Sequence, residues 1–481
     1  MRRALAILGP AIALAAALMP LPAQSLTSPR VPFTIAPRGS HPSVLVDQIG
    51  TAHVVWNEEV ANGADRLHYC QVPRGVSHCT DGKVFVPPDG DPRYNDDISG
   101  PRIVELGPDQ LMILAPRYPN VVWVDTATGQ VDPNCPQNHP QDAGTRCFGS
   151  SQKIWAFRSD DGGTSFDAPF VLSHQEDASG GAAAFGPDGA RKVAMIGDAP
   201  NFQEVAPGGY THSLAYLGDE GQNRNYDGSL GFLSGGRPVA AFRDLAPVTY
   251  YRVWRGGPYN SVSSWGPTHA LGAGDDPRLA HGPKGLFLMN RVTVAGGKQE
   301  YVVRHYGGTS FGPAHPVSPP GQPVNRDVFE DPGGNVHVAY VERSSTPAGN
   351  FDALQYRFST NAGASWSTPL RLSRSTWFQT WNVHLGAAED GGGLAVWQTQ
   401  QGNDGAVKAI AVGSRQPLYD VRTTGIEVTQ GIQGFNLPVH DHARPTADVP
   451  YQGVDLEDQG KTVARVYANA KTKLPFNPLG Q

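Results

Sequence analysis

One hairpin recurs seven times along this chain, and the recurrence restricts the fold more than any other feature of the sequence. Each copy is a short apolar strand, a turn of Gly, Asp or Pro, and a second apolar strand that ends in polar residues. The copies are SVLVDQIGTAHVVWNEE from Ser43, RIVELGPDQLMILAPR from Arg102, AAAFGPDGARKVAMIGD from Ala182, SLGFLSGGRPVAAFRD from Ser229, RLAHGPKGLFLMNR from Arg278, DVFEDPGGNVHVAYVER from Asp327 and HLGAAEDGGGLAVWQTQ from His384. Their turns centre on Gly50, Pro108, Gly189, Gly236, Gly285, Gly334 and Gly393, mostly about 47 to 59 residues apart, with one wider gap before Gly189. This spacing suits a four-stranded sheet per repeat. The strands are apolar almost throughout instead of alternating, so both faces must be covered, as in sheets stacked between neighbours.

Third and fourth strands are readable in KIWAFRSDDGGTSFDAPFVLS from Lys153, YVVRHYGGTSFGPAHPVS from Tyr301 and LQYRFSTNAGASWSTPLRLS from Leu354. The last repeat ends near VKAIAVGSR without an outer strand. The segment RVPFTIAP at Arg30–Pro37 is similar to DAPFVLS and STPLRLS and can supply it. Such an exchange between chain ends would remove exposed sheet edges. The expectation is an all-β, seven-bladed β-propeller over residues 29–417, closed by an N-terminal strand, with six blades as the alternative if the third repeat is an excursion. The 57 Gly and 42 Pro, roughly one residue in five, fit a fold of many tight turns and exclude a coiled coil or helical bundle. From 418 to 481 the pattern changes: TTGIEVTQGIQ and KTVARVYANAKT read as two strands of a short β extension, too small for a whole β-sandwich of about 100 residues.

Residues 1–23 have the layout of a secretory signal peptide, with Arg2 and Arg3, an apolar run and small residues before Pro. No later stretch supplies the ~20 apolar residues of a membrane span, so the mature chain is expected to be secreted and monomeric. Its 38 basic and 44 acidic residues form no cationic block, which argues against nucleic acid as a partner. The cysteines Cys70, Cys79, Cys135 and Cys147 fit an oxidising compartment, and sequence-local pairs Cys70–Cys79 and Cys135–Cys147 are favoured over the other pairings. Neither pair has the spacing of a zinc site, and His440-Asp441-His442 has no third ligand in view; no metal or other cofactor is expected.

The segment Ser159 to Phe166 reads S-x-D-x-G-x-x-aromatic, with Asp161 and Gly163 at the inner positions. Ser359 to Trp366 repeats it with Asn361 and Gly363. Both resemble the Asp-box of the bacterial neuraminidase repeat, and two copies inside a repeated hairpin resemble the sialidase-like propeller superfamily. The motif's physical role is local: a carboxylate or amide accepts the turn N–H groups, Gly takes positive φ and the aromatic packs beneath. The resemblance is shared by hydrolases and receptors. If the chain were a sialidase, it implies three arginines on the sugar carboxylate, a Tyr–Glu nucleophile pair and an Asp general acid.

Strand alternation places the starts of first strands and the ends of second strands at one end of every repeat. That end collects Arg102, Arg278, Arg326, Asp276, Asp327, Arg243 and Arg291 as ligand-binding candidates, beside Trp377 and Trp381 in STWFQTWN for stacking on a sugar. In the sialidase alternative Arg102, Arg278 and Arg326 could form the carboxylate clamp; the other reading of each arginine is an ion pair with a neighbouring acid such as Asp327 or Asp244. No tyrosine and acid suggest themselves as a nucleophile pair; Tyr250 and Tyr251 lie mid-strand. The leading expectation is therefore a secreted propeller that binds an extracellular glycan or glycoprotein, with an exo-α-sialidase or related glycoside hydrolase as the alternative.

Overall fold

The structure, a computed structural model, describes residues 31–429 and 463–472 apart from connecting stretches at 61–64, 87–96, 119–122, 132–137, 142–146, 150–152, 174–179, 186–190, 197–200, 211–214, 217–227, 244–246, 401–404, 414–418 and a few shorter positions. The leader, Cys135 and His440-Asp441-His442 lie outside the described residues. Apart from two short 3-10 turns, the described elements are strands, and no described helix is long and apolar enough to cross a membrane.

All seven repeats form antiparallel hairpins. They pair Ser40–Val46 with Ala52–Glu58, Arg102–Gly107 with Gln110–Tyr118, and Gly180–Phe185 with Arg191–Ile196. They continue as Gly228–Phe232 with Pro238–Arg243, His269–Gly282 with Gly285–Thr293, Gln322–Glu330 with Val336–Thr346, and Trp381–Ala387 with Gly393–Gln398. Third and fourth strands extend these sheets outward, as in Arg66–Val72 with Thr80–Phe85. The 14-residue strand His269–Gly282 serves twice: its first half pairs with Val248–Val253 of repeat four, and its second half opens repeat five. Phe33–Ala36 pairs antiparallel with Val407–Val412, so a strand from the start of the chain lies on the sheet of repeat seven. The segments Tyr419–Thr429 and Val463–Thr472 pair only with each other among the described strands.

The first strands pack side by side. Ser40–Val46 lies against those of repeats two and seven, and the contacts continue through repeats three, four, five and six. The cores accordingly sit between sheets. Repeats one and two share Val55, Leu67, Tyr69, Ile113, Trp155 and Phe157, while repeats five and six share Phe287, Met289, Tyr301, Val338 and Tyr340. This explains the continuous apolar runs: Ala52–Glu58 is buried at every position until Glu58, because neighbours cover both of its faces. Truncating one such side chain to Ala would cost about 2–5 kcal/mol.

The turns share one end of the sheets. In Ser159 to Phe166, Gly163 N and Asp161 Oδ1 bind Ser159 Oγ at 2.8 and 2.9 Å, and Asp161 Oδ1 accepts Ser165 N at 2.8 Å. Ser359, Asn361, Gly363 and Ser365 repeat this pattern. The first of these turns docks on the preceding repeat: Gln71 Nε2 donates to Gly162 O at 2.9 Å, and Phe166 meets Tyr69 edge to face. Trp366 likewise packs against the core shared by repeats five and six. The same end carries two Asp–His–Tyr chains, Asp47–His53–Tyr69 and the fully buried Asp331–His337–Tyr356, in which the imidazole bridges a turn carboxylate and a third-strand phenol. Cys70 and Cys79 form the expected disulfide, which joins the third strand of repeat one to the segment leading into the fourth.

Candidate functional site

The opposite, open end begins with a backbone irregularity repeated from sheet to sheet. The pairing register shifts at Ser40/Ser43, Asp275/Arg278, Val324/Arg326 and Trp381/His384, a bulge where the first strand of repeats one, five, six and seven begins its hairpin. At each bulge a residue other than glycine takes left-handed φ: His41 at 50°, Asp276 at 61°, Asn325 at 47° and Asn382 at 48°. Gly100 holds the corresponding place in repeat two at 51°. Asn, Asp and His tolerate this conformation better than most side chains. Two residues later, the strand delivers Ser43, Arg102, Arg278, Asp327 and His384 at equivalent positions on five packed first strands.

Four of these side chains converge. Arg102 Nη1 donates to His384 Nε2, His384 Nδ1 lies 3.5 Å from Asp327 Oδ2, and Arg278 Nε lies 3.7 Å from Asp327 Oδ1. Asp327 also accepts Leu385 N at 2.8 Å, which ties repeat six to repeat seven. The side chains of Arg278, Asp327 and His384 are 16%, 9% and 11% exposed. Burial, then the neighbouring Arg278, lowers the Arg102 pKa to about 9 against the pull of Asp327. Burial and Arg102 bring His384 down to about 4. Burial alone would raise Asp327, but His384, Arg278 and the Leu385 amide outweigh it and hold the carboxyl ionised. With the imidazole neutral, the four side chains together carry one net positive charge.

Of Arg102, Arg278 and Arg326, the structure gathers the first two around Asp327 and His384, while Arg326 adds its charge to the field on Arg102 and is paired with Asp276. Arg326 stands one residue before Asp327, at the place of Pro277 in repeat five, and strand alternation turns it to the other face. Its guanidinium binds Asp276 Oδ1 at 2.5 Å and donates to Asp276 O and Pro277 O at 2.9 and 3.1 Å, so Arg326 and Asp276 form a closed pair between repeats. Arg291 is held by both oxygens of Asp275 at 2.8 Å. Arg243 ends its strand opposite Thr249. Trp377 and Trp381 flank Arg343, whose guanidinium carbon lies 5.7 and 5.8 Å from the two ring centroids while Asp352 binds its Nε at 2.9 Å. Trp377 Nε1 donates to Ser344 O at 3.0 Å.

A tyrosine–carboxylate pair does exist: Tyr301 Oη donates to Asp276 Oδ2 at 2.9 Å. Tyr301 is fully buried, and burial and Asp276 push its phenol well above the usual range. It is sealed from a substrate and poorly ionisable, the reverse of what a nucleophile needs. Tyr301 and His384 are not among the residues that the sequence singles out. The signal for the latter was the recurring triplet that places Pro before the presented residue, as in His41-Pro42-Ser43, Gly100-Pro101-Arg102 and Asp276-Pro277-Arg278, with Asn382-Val383-His384 as its Pro-free form.

No protein-family model matches the chain, and no curated protein does. Among solved structures it is similar to a protein of unknown function from Dyadobacter fermentans, at 14% identity over 80% of this chain and 98% of that one, with a TM-score of 0.44. An α-L-arabinanase from Penicillium chrysogenum matches at 12% identity over 80% and 98%, with a TM-score of 0.41. A leech intramolecular trans-sialidase matches at 9% identity over 79% and 68%, with a TM-score of 0.39. Likeness at this level assigns neither activity nor ligand to this chain.

Proposed function

We propose that this chain is an exported seven-bladed β-propeller, closed by Phe33–Ala36, that binds a carboxylate-bearing glycan or glycoprotein at its open end. The observation that carries the reading is the meeting of Arg102 and Arg278, from repeats two and five, around one shared carboxylate and a neutral imidazole. Guanidinium groups bind carboxylates in parallel, two-bond geometry, and a half-buried pair with net positive charge favours such a ligand. The side-by-side first strands and inter-sheet cores support the ring, and the Cys70–Cys79 bond supports an oxidising destination. Burial of Tyr301 favours binding over sialoside hydrolysis. Binding of the purified protein to an array of neutral and acidic glycans tests this: acidic glycans should be retained, and Arg278→Ala should weaken them at least about tenfold. Turnover of a fluorogenic sialoside that is lost in Arg278→Ala would instead establish the hydrolase.

A further inference from the structure

We propose that the open end is a proton-linked site, in which His384 takes up a proton as a carboxylate binds, so that the ligand is held more tightly in mildly acidic than in neutral solution. This rests on the reading of Arg102 and Arg278 as carboxylate ligands. An arginine only donates, so the His384 Nε2 that faces Arg102 Nη1 must be an acceptor, and the ring proton sits on Nδ1 toward Asp327. In that arrangement an imidazolium would set one N–H against another.

The charged and titratable groups around the ring come from every strand packed on it. Among the described residues they are Arg102 of repeat two, Arg278 of repeat five, Asp327 of repeat six and, from repeat one, His41, itself under the field of Arg102, with Arg326 acting on Arg102 in turn. Burial first, and then two cations against one carboxylate, keep the ring neutral, consistent with its pKa of about 4. A ligand carboxylate between Arg102 and Arg278 supplies a second negative charge and competes with Nε2 for Arg102 Nη1. Nε2, once displaced, is free to take a proton from solvent. An opposite charge at this range raises a pKa by about 1–3 units. The complex thus binds more protons than the free protein, and the coupling is reciprocal: the dissociation constant falls as pH falls, by at most about tenfold per pH unit, across roughly pH 7 to 4.

The test is calorimetric titration of the full chain with N-acetylneuraminate and with glucuronate at pH 5 and pH 8, each in two buffers of different ionisation enthalpy. The expected result is uptake of about 0.4 to 0.9 proton per ligand at pH 5, almost none at pH 8, and binding about two- to ninetyfold tighter at pH 5. His384→Gln keeps an acceptor for Arg102 and a donor for Asp327 but cannot titrate, and should bind with no pH dependence. Binding without proton uptake, or a His384→Gln protein that keeps the pH dependence, overturns the linkage alone. Absence of binding at both pH values overturns the carboxylate reading and the linkage together.

Discussion

Replacing Gly163 by Ala tests how one repeat is locked onto the next. A Cβ built there falls 1.7 Å from Tyr69 Oη and 2.6 Å from Tyr69 Cζ, and the backbone sits at φ +85°. The phenol cannot retreat: Tyr69 is fully buried, bonded to His53 Nδ1 at 2.8 Å and packed edge to face against Phe166. Left-handed backbone costs an alanine about 1–2 kcal/mol, and overpacking a closed core adds about 1–3 kcal/mol. The expected loss is therefore about 2–5 kcal/mol, visible as a lower urea midpoint followed by tryptophan fluorescence and by far-UV circular dichroism. In a Tyr69→Phe background the nearest clashing atom is gone, so the same change should cost about 1 kcal/mol less. A Gly163→Ala protein within about 0.5 kcal/mol of wild type, or an identical cost in both backgrounds, would refute the docking argument.

Other consequences follow from buried charge and from the cross-link. Arg102→Met should abolish carboxylate binding yet raise stability by about 1–3 kcal/mol in thermal unfolding, because it removes a cation that burial and Arg278 disfavour; destabilisation would mean that the cluster is structural. Glu330 is 3% exposed, and burial lifts its pKa to about 7 although Lys284 N donates to it at 2.7 Å. A raised carboxyl pKa favours the folded state at low pH, and that advantage is lost as pH rises from its unfolded value toward 7. Glu330→Gln should thus gain about 2 kcal/mol over wild type between pH 5 and pH 8, and a constant difference would contradict this. Reduction of Cys70–Cys79, which are nine residues apart, should lower stability by about 2–3 kcal/mol, read as a drop in the thermal midpoint under dithiothreitol; an unchanged midpoint in a protein shown to be reduced would count against it.

The hairpins were legible because stacked sheets demand apolar residues on both strand faces, and a run such as AHVVWN leaves no other reading. The two S-x-[DN]-x-G turns carry their own hydrogen-bond logic and were equally plain. The Cys70–Cys79 pair followed from proximity in the chain. The open end was legible only as a collection of charges. Which arginine meets which depends on a one-residue bulge that decides the face of every residue after it, and neither Asn325 nor Asn382 announces a left-handed backbone by its type alone. Arg326 was therefore placed in the clamp when Asp327 and His384 occupy the matching positions. Tyr301 pairs with Asp276 across 25 residues, and no local pattern encodes that contact.

The central claim is that Arg102 and Arg278 together receive a ligand carboxylate. A crystal of the full chain soaked with N-acetylneuraminate at about pH 5 tests it most directly. The account predicts that the sugar carboxylate lies within hydrogen-bond distance of both guanidinium groups, with His384 beside it. A sugar bound elsewhere, or Arg102 and Arg278 found too far apart to share one carboxylate, would contradict it.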